Sequence, residues 1–225
     1  MSTSILLLCL VGAIIQGIFI VIEHQQKYVP AVILKGSASI VFCIIGYLGF
    51  VNATNTSFAK MVFIGLIFGA LGDILLNLRF VFEKMGQKIF LVGILAFFIG
   101  HILYLVALVP LSTNLLPCVV IGSILATLIL TWIFKTLTVK IAFKVFGIFY
   151  IGAVVLMTCV AIGNVISIGS LSSMMYAIGA VSFTLSDIVL IFNTFGSEQK
   201  YSMRITNLSL YYLGQLLIAC SLFFI

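Results

Sequence analysis

Charge is scarce in this sequence: Lys, Arg, Asp and Glu make up 7% of its 225 residues, whereas hydrophobic residues make up 64%. The mean hydropathy is +1.39. A water-soluble domain of this length needs a polar surface, so the composition excludes one and predicts a polytopic membrane protein. The basic residues behind the net charge of +6 form no stripe apart from the loops, so we expect no nucleic-acid partner.

Residues for metal and nucleophile chemistry are also scarce. The five cysteines are scattered and form no C-x-x-C pair, so neither a disulfide framework nor a cysteine zinc site is indicated. With only His24 and His101, a histidine-rich zinc site is excluded. The sequence has no G-x-S-x-G nucleophile elbow and no phosphate-binding glycine loop. We therefore expect neither a metal nor a cofactor.

Long apolar runs fill the chain instead. A helix needs about 20 apolar residues to cross a bilayer. Eight stretches meet this criterion: 3–22, 30–51, 59–80, 88–109, 115–134, 141–163, 171–193 and 205–225. The first run lacks the basic start and cleavage site of a signal peptide, so we interpret it as a retained helix. The sequence predicts an all-α fold in which residues 1–225 form one domain of eight transmembrane helices.

Basic residues predict the orientation in the membrane. The loops after helices one, three, five and seven, with their flanks, contain ten of them: Lys27, Lys35, Arg79, Lys84, Lys88, Lys135, Lys140, Lys144, Lys200 and Arg204. The opposite side contains only Lys60. Because basic loops stay in the cytoplasm, we expect both termini outside it. The small size and the absence of targeting signals favour a bacterial plasma membrane over an internal one. We interpret these residues as topological anchors rather than as sites for lipid headgroups.

Two carboxylates interrupt the apolar helices at related positions. Asp73 lies in GALGDILLNL and Asp187 in LSDIVLIFN. An offset of 114 residues superposes them and also aligns His101, in FFIGHIL, with Gln215, in YYLGQLL. Matches at one offset indicate an internal repeat. Helices three and seven cross the membrane in the same direction, so this repeat, which relates helices 3–4 to helices 7–8, is parallel.

The matched acids predict chemistry. A charge inside a membrane span is costly and by default indicates a functional site. The alternative is that each Asp accepts hydrogen bonds from neighbouring helices and only fixes their packing. Burial favours the protonated form of a carboxyl group, and a second carboxyl nearby makes the two lose their protons in separate steps. We therefore predict Asp73 and Asp187 as a catalytic pair, in which either one donates a proton while the other stays ionised.

Further polar residues lie at depths from which they reach the same cavity, which is predicted to widen toward the cytoplasm. Seven are candidates for binding substrate: His101, Tyr104, Asn77, Asn193, Tyr211, Tyr212 and Gln215. The histidine is alternatively a third catalytic group or a neutral core residue. The tyrosines alternatively pack as aromatic residues, and the asparagines alternatively cap their helices.

Four short motifs, in this order, resemble one family. They are GD-x-x-L at Asp73, F-x-x-GH-x-x-Y at His101, SD at Asp187 and YY-x-x-Q ending at Gln215. Their order and spacing are similar to those of the YhhN-like lysoplasmalogenase family, whose members are eight-helix membrane proteins. The resemblance covers nearly the whole chain. It implies hydrolysis of the vinyl-ether bond of a lysoplasmalogen, with the family's paired acids at Asp73 and Asp187.

The implied reaction fits two carboxyls. Protonation of the β-carbon of a vinyl ether gives an oxocarbenium ion that water captures, which calls for an acid and a carboxylate, as in glycosidases. The alkenyl chain of the lysophospholipid would stay among the membrane lipids while its headgroup faces the cytoplasm. The alternative is a proton-coupled transporter or lipid-binding protein that uses the same acids and forms no product.

Overall fold

Long helices make up nearly all of the computed structural model, which describes residues 2–225. They are α1 (Thr3–His24), α2 (Tyr28–Asn52), α3 (Thr56–Val81), α4 (Gly86–Leu108), α5 (Leu115–Thr136), α6 (Ile141–Ile168), α7 (Leu171–Phe195) and α8 (Tyr201–Ser221). Each is long and apolar enough to cross a membrane. The prediction of an all-α, multi-pass membrane protein is confirmed, and at most five residues separate a predicted helix end from an observed one.

Polar and conformationally special residues set several helix ends. The side-chain oxygens of Asn55 and Ser170 accept hydrogen bonds from the backbone N–H three residues on, each at 3.1 Å. These bonds satisfy donors that have no partner inside the first turn. Helix α6 ends at Gly169, whose φ of 64° lies in the left-handed region that favours glycine. Pro30 and Pro117 lie in first turns, where a missing N–H costs little.

The helices pack as two halves, α1 to α4 and α5 to α8. Within them, α3 packs closely along α4 and α7 along α8. The halves meet where α2 contacts α8 and where α4 contacts α6. The outward faces of α1 and α5 expose large apolar side chains such as Leu7 and Leu128, as suits contact with lipid tails. The two acids and several amide side chains of the spans are instead buried between helices.

Glycines allow the closest approaches within each half. A Cβ at Gly100 on α4 would lie 3.1 Å from the backbone oxygen of Gly65 on α3. A Cβ at Gly214 on α8 would lie 2.8 Å from the backbone oxygen of Gly179 on α7. Only glycine lets two backbones come this close. The offset of 114 residues that aligns the two acids also relates these two contacts, which fits the internal repeat that the sequence predicts.

Candidate active site

One cavity contains both acids of the predicted pair. Asp73 on α3 and Asp187 on α7 line it. The cavity, together with the open space at its mouth, has a volume of about 1060 Å³. The two residues are only 4% and 3% exposed. Much of the wall is apolar or aromatic and includes Leu130, Phe97 and Phe143. The fold thus brings two carboxyls from distant parts of the chain to one apolar space.

The cavity lies toward one end of the bundle. Lining residues such as Phe90, Phe134, Phe143 and Thr194 are close to the loops that join α3 to α4, α5 to α6 and α7 to α8. These loops carry most of the basic residues and are therefore the ones predicted to face the cytoplasm. The cavity therefore lies at the end of the bundle that the sequence predicts to face the cytoplasm.

Three donors from two other helices surround the carboxyl group of Asp73. The hydroxyls of Ser39 on α2 and Tyr211 on α8 donate to Oδ2 at 2.5 Å and 2.8 Å. The ammonium of Lys35, one turn before Ser39, lies 3.4 Å from Oδ1. A carboxylate in this place loses its hydration, and the ammonium and the two hydroxyls replace it.

Lys35 is not the surface anchor that the sequence predicts. The side chain is 1% exposed and turns into the bundle, so this interpretation is wrong. Its ammonium donates to Oε1 of Gln16 on α1 at 3.2 Å and lies 4.5 Å from the centre of the Tyr211 ring. The Gln16 amide in turn donates to the backbone oxygen of Leu208 on α8 at 3.3 Å. A buried ammonium needs such partners, and together they join α1, α2 and α8 beside Asp73.

Asp187 has a simpler environment. The hydroxyl of Tyr150 on α6 donates to its Oδ2 at 2.7 Å, and within residues 2–225 this is the only hydrogen bond to the carboxyl. The ion pairs found in that range join Lys35 to Asp73 and Arg204 to Glu23, so no cation pairs with Asp187. The two acids share a cavity but differ in the side chains that bind their carboxyl groups.

Hydrogen bonds between helices position α6, α7 and α8 around Asp187. Next to it in sequence, Ser186 donates to the backbone oxygen of Asn207 at 2.9 Å, and the Asn207 amide donates back to the Ser186 backbone oxygen at 3.0 Å. On the other side of α7, the hydroxyls of Thr158 and Thr184 lie 2.7 Å apart. Polar groups inside a membrane must be satisfied within the protein, so these pairs lock the helix register.

The arrangement suits acid/base chemistry. It places two carboxyls, two phenols and an ammonium around one largely apolar space. Unlike surroundings give two carboxyls unlike tendencies to hold a proton, which is how paired acids divide their roles. Within residues 2–225, no three His, Cys, Asp or Glu side chains gather where they could hold a metal ion.

His101 lies behind the cavity wall rather than in it. It is 1% exposed, and within the described chain neither ring nitrogen has a hydrogen-bond partner. The ring packs edge-on against Phe183, with ring centres 4.4 Å apart, and against Tyr150 at 5.6 Å. This is the position of a core histidine, and the residue contacts the phenol that holds Asp187.

Tyr104 and Gln215 are likewise buried outside the cavity lining. The Tyr104 hydroxyl donates to Gln215 Oε1 at 3.0 Å, and the Gln215 amide donates to the Tyr211 hydroxyl at 3.3 Å. Because Tyr211 donates to Asp73, these side chains form a hydrogen-bonded chain that ends at the carboxyl. Tyr104 and Gln215 therefore orient the phenol of Tyr211.

The other predicted binding residues divide into two groups. Asn77 and Tyr211 line the cavity, and the side-chain oxygen of Asn77 has no hydrogen-bond partner in the described chain. The hydroxyl of Tyr212 instead donates to the α2 backbone at 3.0 Å. The side-chain oxygen of Asn193 accepts a bond at 2.8 Å from the backbone just before α8, so it closes the α7–α8 loop. These two do not line the cavity.

Sequence reasoning did not single out several residues that line the cavity or bind its acids, among them Lys35, Ser39, Tyr150 and Arg204. One of them had a signal. Lys35 lies inside the predicted span 30–51, where a charge indicates a functional site by the argument already applied to the acids. Ser39 and Tyr150 had none, because only the packing of helices distinguishes them from the other hydroxyl groups of the spans.

Comparison with known proteins identifies the family of the chain. The model of the YhhN family matches residues 30–222 of the chain. This stretch contains both cavity acids, the residues that bind them, and helices α3 to α8 in full. No curated protein and no solved structure matches the chain.

Proposed function

Since the chain belongs to the YhhN family, we propose that it hydrolyses the vinyl-ether bond of lysoplasmalogens. Alkenyl-glycerophosphocholine or alkenyl-glycerophosphoethanolamine would yield a fatty aldehyde and the glycerophospho-headgroup. The observation that carries the proposal is that Asp73 and Asp187 line one largely apolar cavity. Such a cavity accepts an alkenyl chain, and the two carboxyls supply the acid and the base that the reaction needs.

We assign the proton donor to Asp187. Its carboxyl has one hydrogen-bond donor, Tyr150, and no cation beside it, so little offsets the cost of a charge there. The carboxylic acid gives its proton to the β-carbon of the vinyl ether, whose π electron pair forms the new C–H bond. The step leaves an oxocarbenium ion at the carbon that carries the ether oxygen.

Asp73 is assigned as the carboxylate that stabilises this cation. Lys35, Ser39 and Tyr211 hold it in place, and glycosidases use a fixed carboxylate for a comparable ion. Water adds to the cationic carbon, and its proton passes to a carboxylate. The resulting hemiacetal takes a proton on its ether oxygen and loses one from its hydroxyl group. The C–O bond then breaks and releases the aldehyde and the glycerol hydroxyl.

The test is aldehyde release from both lysoplasmalogens by purified protein. We expect Asp73→Asn and Asp187→Asn each to lower turnover at least about 100-fold, the scale of acid/base catalysis. Glu198→Gln makes the same chemical change at an exposed loop position and should leave turnover unchanged. A folded wild-type protein that releases no aldehyde from either headgroup class would contradict the proposal.

A proton-coupled transporter or lipid-binding protein that uses the same acids is the second candidate. It is favoured by a second cavity at the opposite end of the bundle, with about 520 Å³ of space, lined by Tyr176, Asn164 and Ser172 among others. Alternating access requires openings on both sides of a membrane. In liposomes, a transporter would couple uptake to a proton gradient and form no aldehyde, whereas a hydrolase would form aldehyde without a gradient.

A further inference from the structure

Two arginines near the mouth of the cavity are more enclosed than topological anchors need to be. Arg204, near the start of α8, lines the cavity, and its side chain is 19% exposed. Arg79, near the end of α3, is half-buried, and its Nε atom has no hydrogen-bond partner within residues 2–225. By contrast, Lys84 in the following loop is exposed, as an anchor should be.

Positive charge exceeds negative charge at this mouth. Arg204 forms a two-bond ion pair with Glu23, in which Nε donates to Oε2 at 2.9 Å and Nη2 donates to Oε1. Lys35 pairs with Asp73. Within residues 2–225, no carboxylate oxygen lies within 4 Å of Arg79, which is close enough to the Arg204–Glu23 pair to be repelled by the one and attracted by the other. With Asp187 protonated, as the mechanism proposed above assigns it, one positive charge has no counterpart.

Arg79 does not itself line the cavity, but aromatic rings hold its guanidinium against a residue that does. Its central carbon lies 4.5 Å from the centre of the Phe80 ring and 4.6 Å from that of Phe90, which itself lines the cavity. Cation–π contacts of this kind engage the face of the guanidinium. The Nε atom is itself buried. The two Nη groups remain for a planar or tetrahedral oxyanion, which arginine binds through two parallel bonds.

We propose that Arg79 and Arg204 bind the phosphate of a lysophospholipid at the mouth of the cavity. That the ligand is this lipid rests on the function proposed above, whereas its phosphate chemistry rests on the two arginines. A lysophosphodiester carries the one negative charge that the mouth lacks.

The spacing along α3 fits such a ligand. Arg79 follows Asp73 by six residues, or about 9 Å along a helix axis. From the β-carbon of the vinyl ether to the phosphorus, an extended lysoplasmalogen spans roughly 8–9 Å. A phosphate held by Arg79 therefore leaves the vinyl ether at the depth of the carboxyls.

The experiment measures binding without turnover. The probes are a saturated 1-O-alkyl lysophospholipid, which has no vinyl group to protonate, and the 1-O-alkylglycerol that lacks its phosphate, both in a phosphate-free detergent. We expect wild-type protein to bind the phosphate-bearing lipid at least about tenfold more tightly. Arg79→Gln should remove this preference without weakening alkylglycerol binding. Lys84→Gln, with the same loss of charge on the same side, should keep it.

A second variant tests Arg204 without leaving Glu23 unpaired. Glu23→Gln combined with Arg204→Gln removes the ion pair as a whole, and this protein should also lose the preference. Equal binding of the two ether lipids by wild-type protein, or an unchanged preference in Arg79→Gln, would overturn the proposal. Equally strong binding of glycerophosphoethanolamine, which has no chain, would reveal a site for free phosphate esters and overturn the lipid assignment.

Failure of this subsite and failure of the hydrolase give different results. A wild-type protein that prefers the phosphate-bearing lipid but releases no aldehyde from a lysoplasmalogen would contradict the hydrolase alone. An Arg79→Gln protein that releases aldehyde with wild-type kcat/KM would contradict the subsite alone.

Discussion

Replacing Lys35 by Met tests the buried ion pair on which the role of Asp73 depends. Met preserves an unbranched side chain but removes the charge, so Asp73 keeps Ser39 and Tyr211 and loses its cation. Because Lys35 is 1% exposed, water does not replace the ammonium. Removing one partner of a buried pair costs about 3–5 kcal/mol. At about 2–4 °C per kcal/mol for a chain of this size, we expect Tm to fall by at least about 6 °C.

The assay is thermal unfolding in detergent, followed with a thiol-reactive dye. Cys118 and Cys220 are free and buried, so they react when the helices separate. Aldehyde release from a lysoplasmalogen is the second readout. Without the ammonium, little offsets the cost of a charge on the buried Asp73 carboxyl, so it holds a proton, and a neutral carboxyl cannot stabilise a cation. We expect kcat to fall at least about tenfold while KM changes little.

A double variant separates the charge from the packing. Lys35→Met combined with Asp73→Asn leaves no unpaired charge, so it should be more stable than Lys35→Met and remain inactive. Lys60→Met, at an exposed position on the opposite side, is the matched control and should change stability by less than about 0.5 kcal/mol. A wild-type Tm for Lys35→Met, or a double variant less stable than both single ones, would refute the reasoning.

Three further variants probe the site and the packing. Tyr150→Phe removes the only hydrogen bond to Asp187 within the described chain; aldehyde release should fall about tenfold with little change in Tm, and unchanged turnover would contradict the role of the phenol. Gly214→Ala puts a Cβ 2.8 Å from the α7 backbone and should cost about 1–3 kcal/mol in thermal unfolding, whereas Gly152→Ala, with nothing within 4 Å, should not. His101→Phe removes two unpartnered nitrogens, so Tm should hold or rise with turnover retained; lost turnover in a folded protein would make the histidine catalytic.

The eight spans were predictable because they depend on a local property, the length of an apolar run. The ends of the helices were less predictable, since a helix can extend beyond the hydrocarbon core of the membrane as long as the residues there permit helical geometry. Helix α6 shows this: its predicted span ends at 163, and the helix continues to Ile168, where Gly169 turns the chain.

The two acids were predictable for a similar reason. A carboxylate in an apolar run stands out in the sequence alone, and a matching offset distinguishes a pair from two isolated residues. The depth of a residue along its helix could also be predicted from its position in the sequence, but the direction in which its side chain points around the helix axis could not. His101 and Gln215 therefore lie close to the acids yet outside the cavity lining.

The sequence by itself determined the membrane class, the helices and the presence of two buried acids, because each follows from local hydropathy. Only the tertiary structure decided which partner each acid has, since those partners are far away in the chain. Lys35 and Tyr211 come from α2 and α8 to reach Asp73, whereas Tyr150 alone comes from α6 to reach Asp187. A buried charge depends on the groups packed against it, so the division of roles that we propose for the acids rests on helix packing.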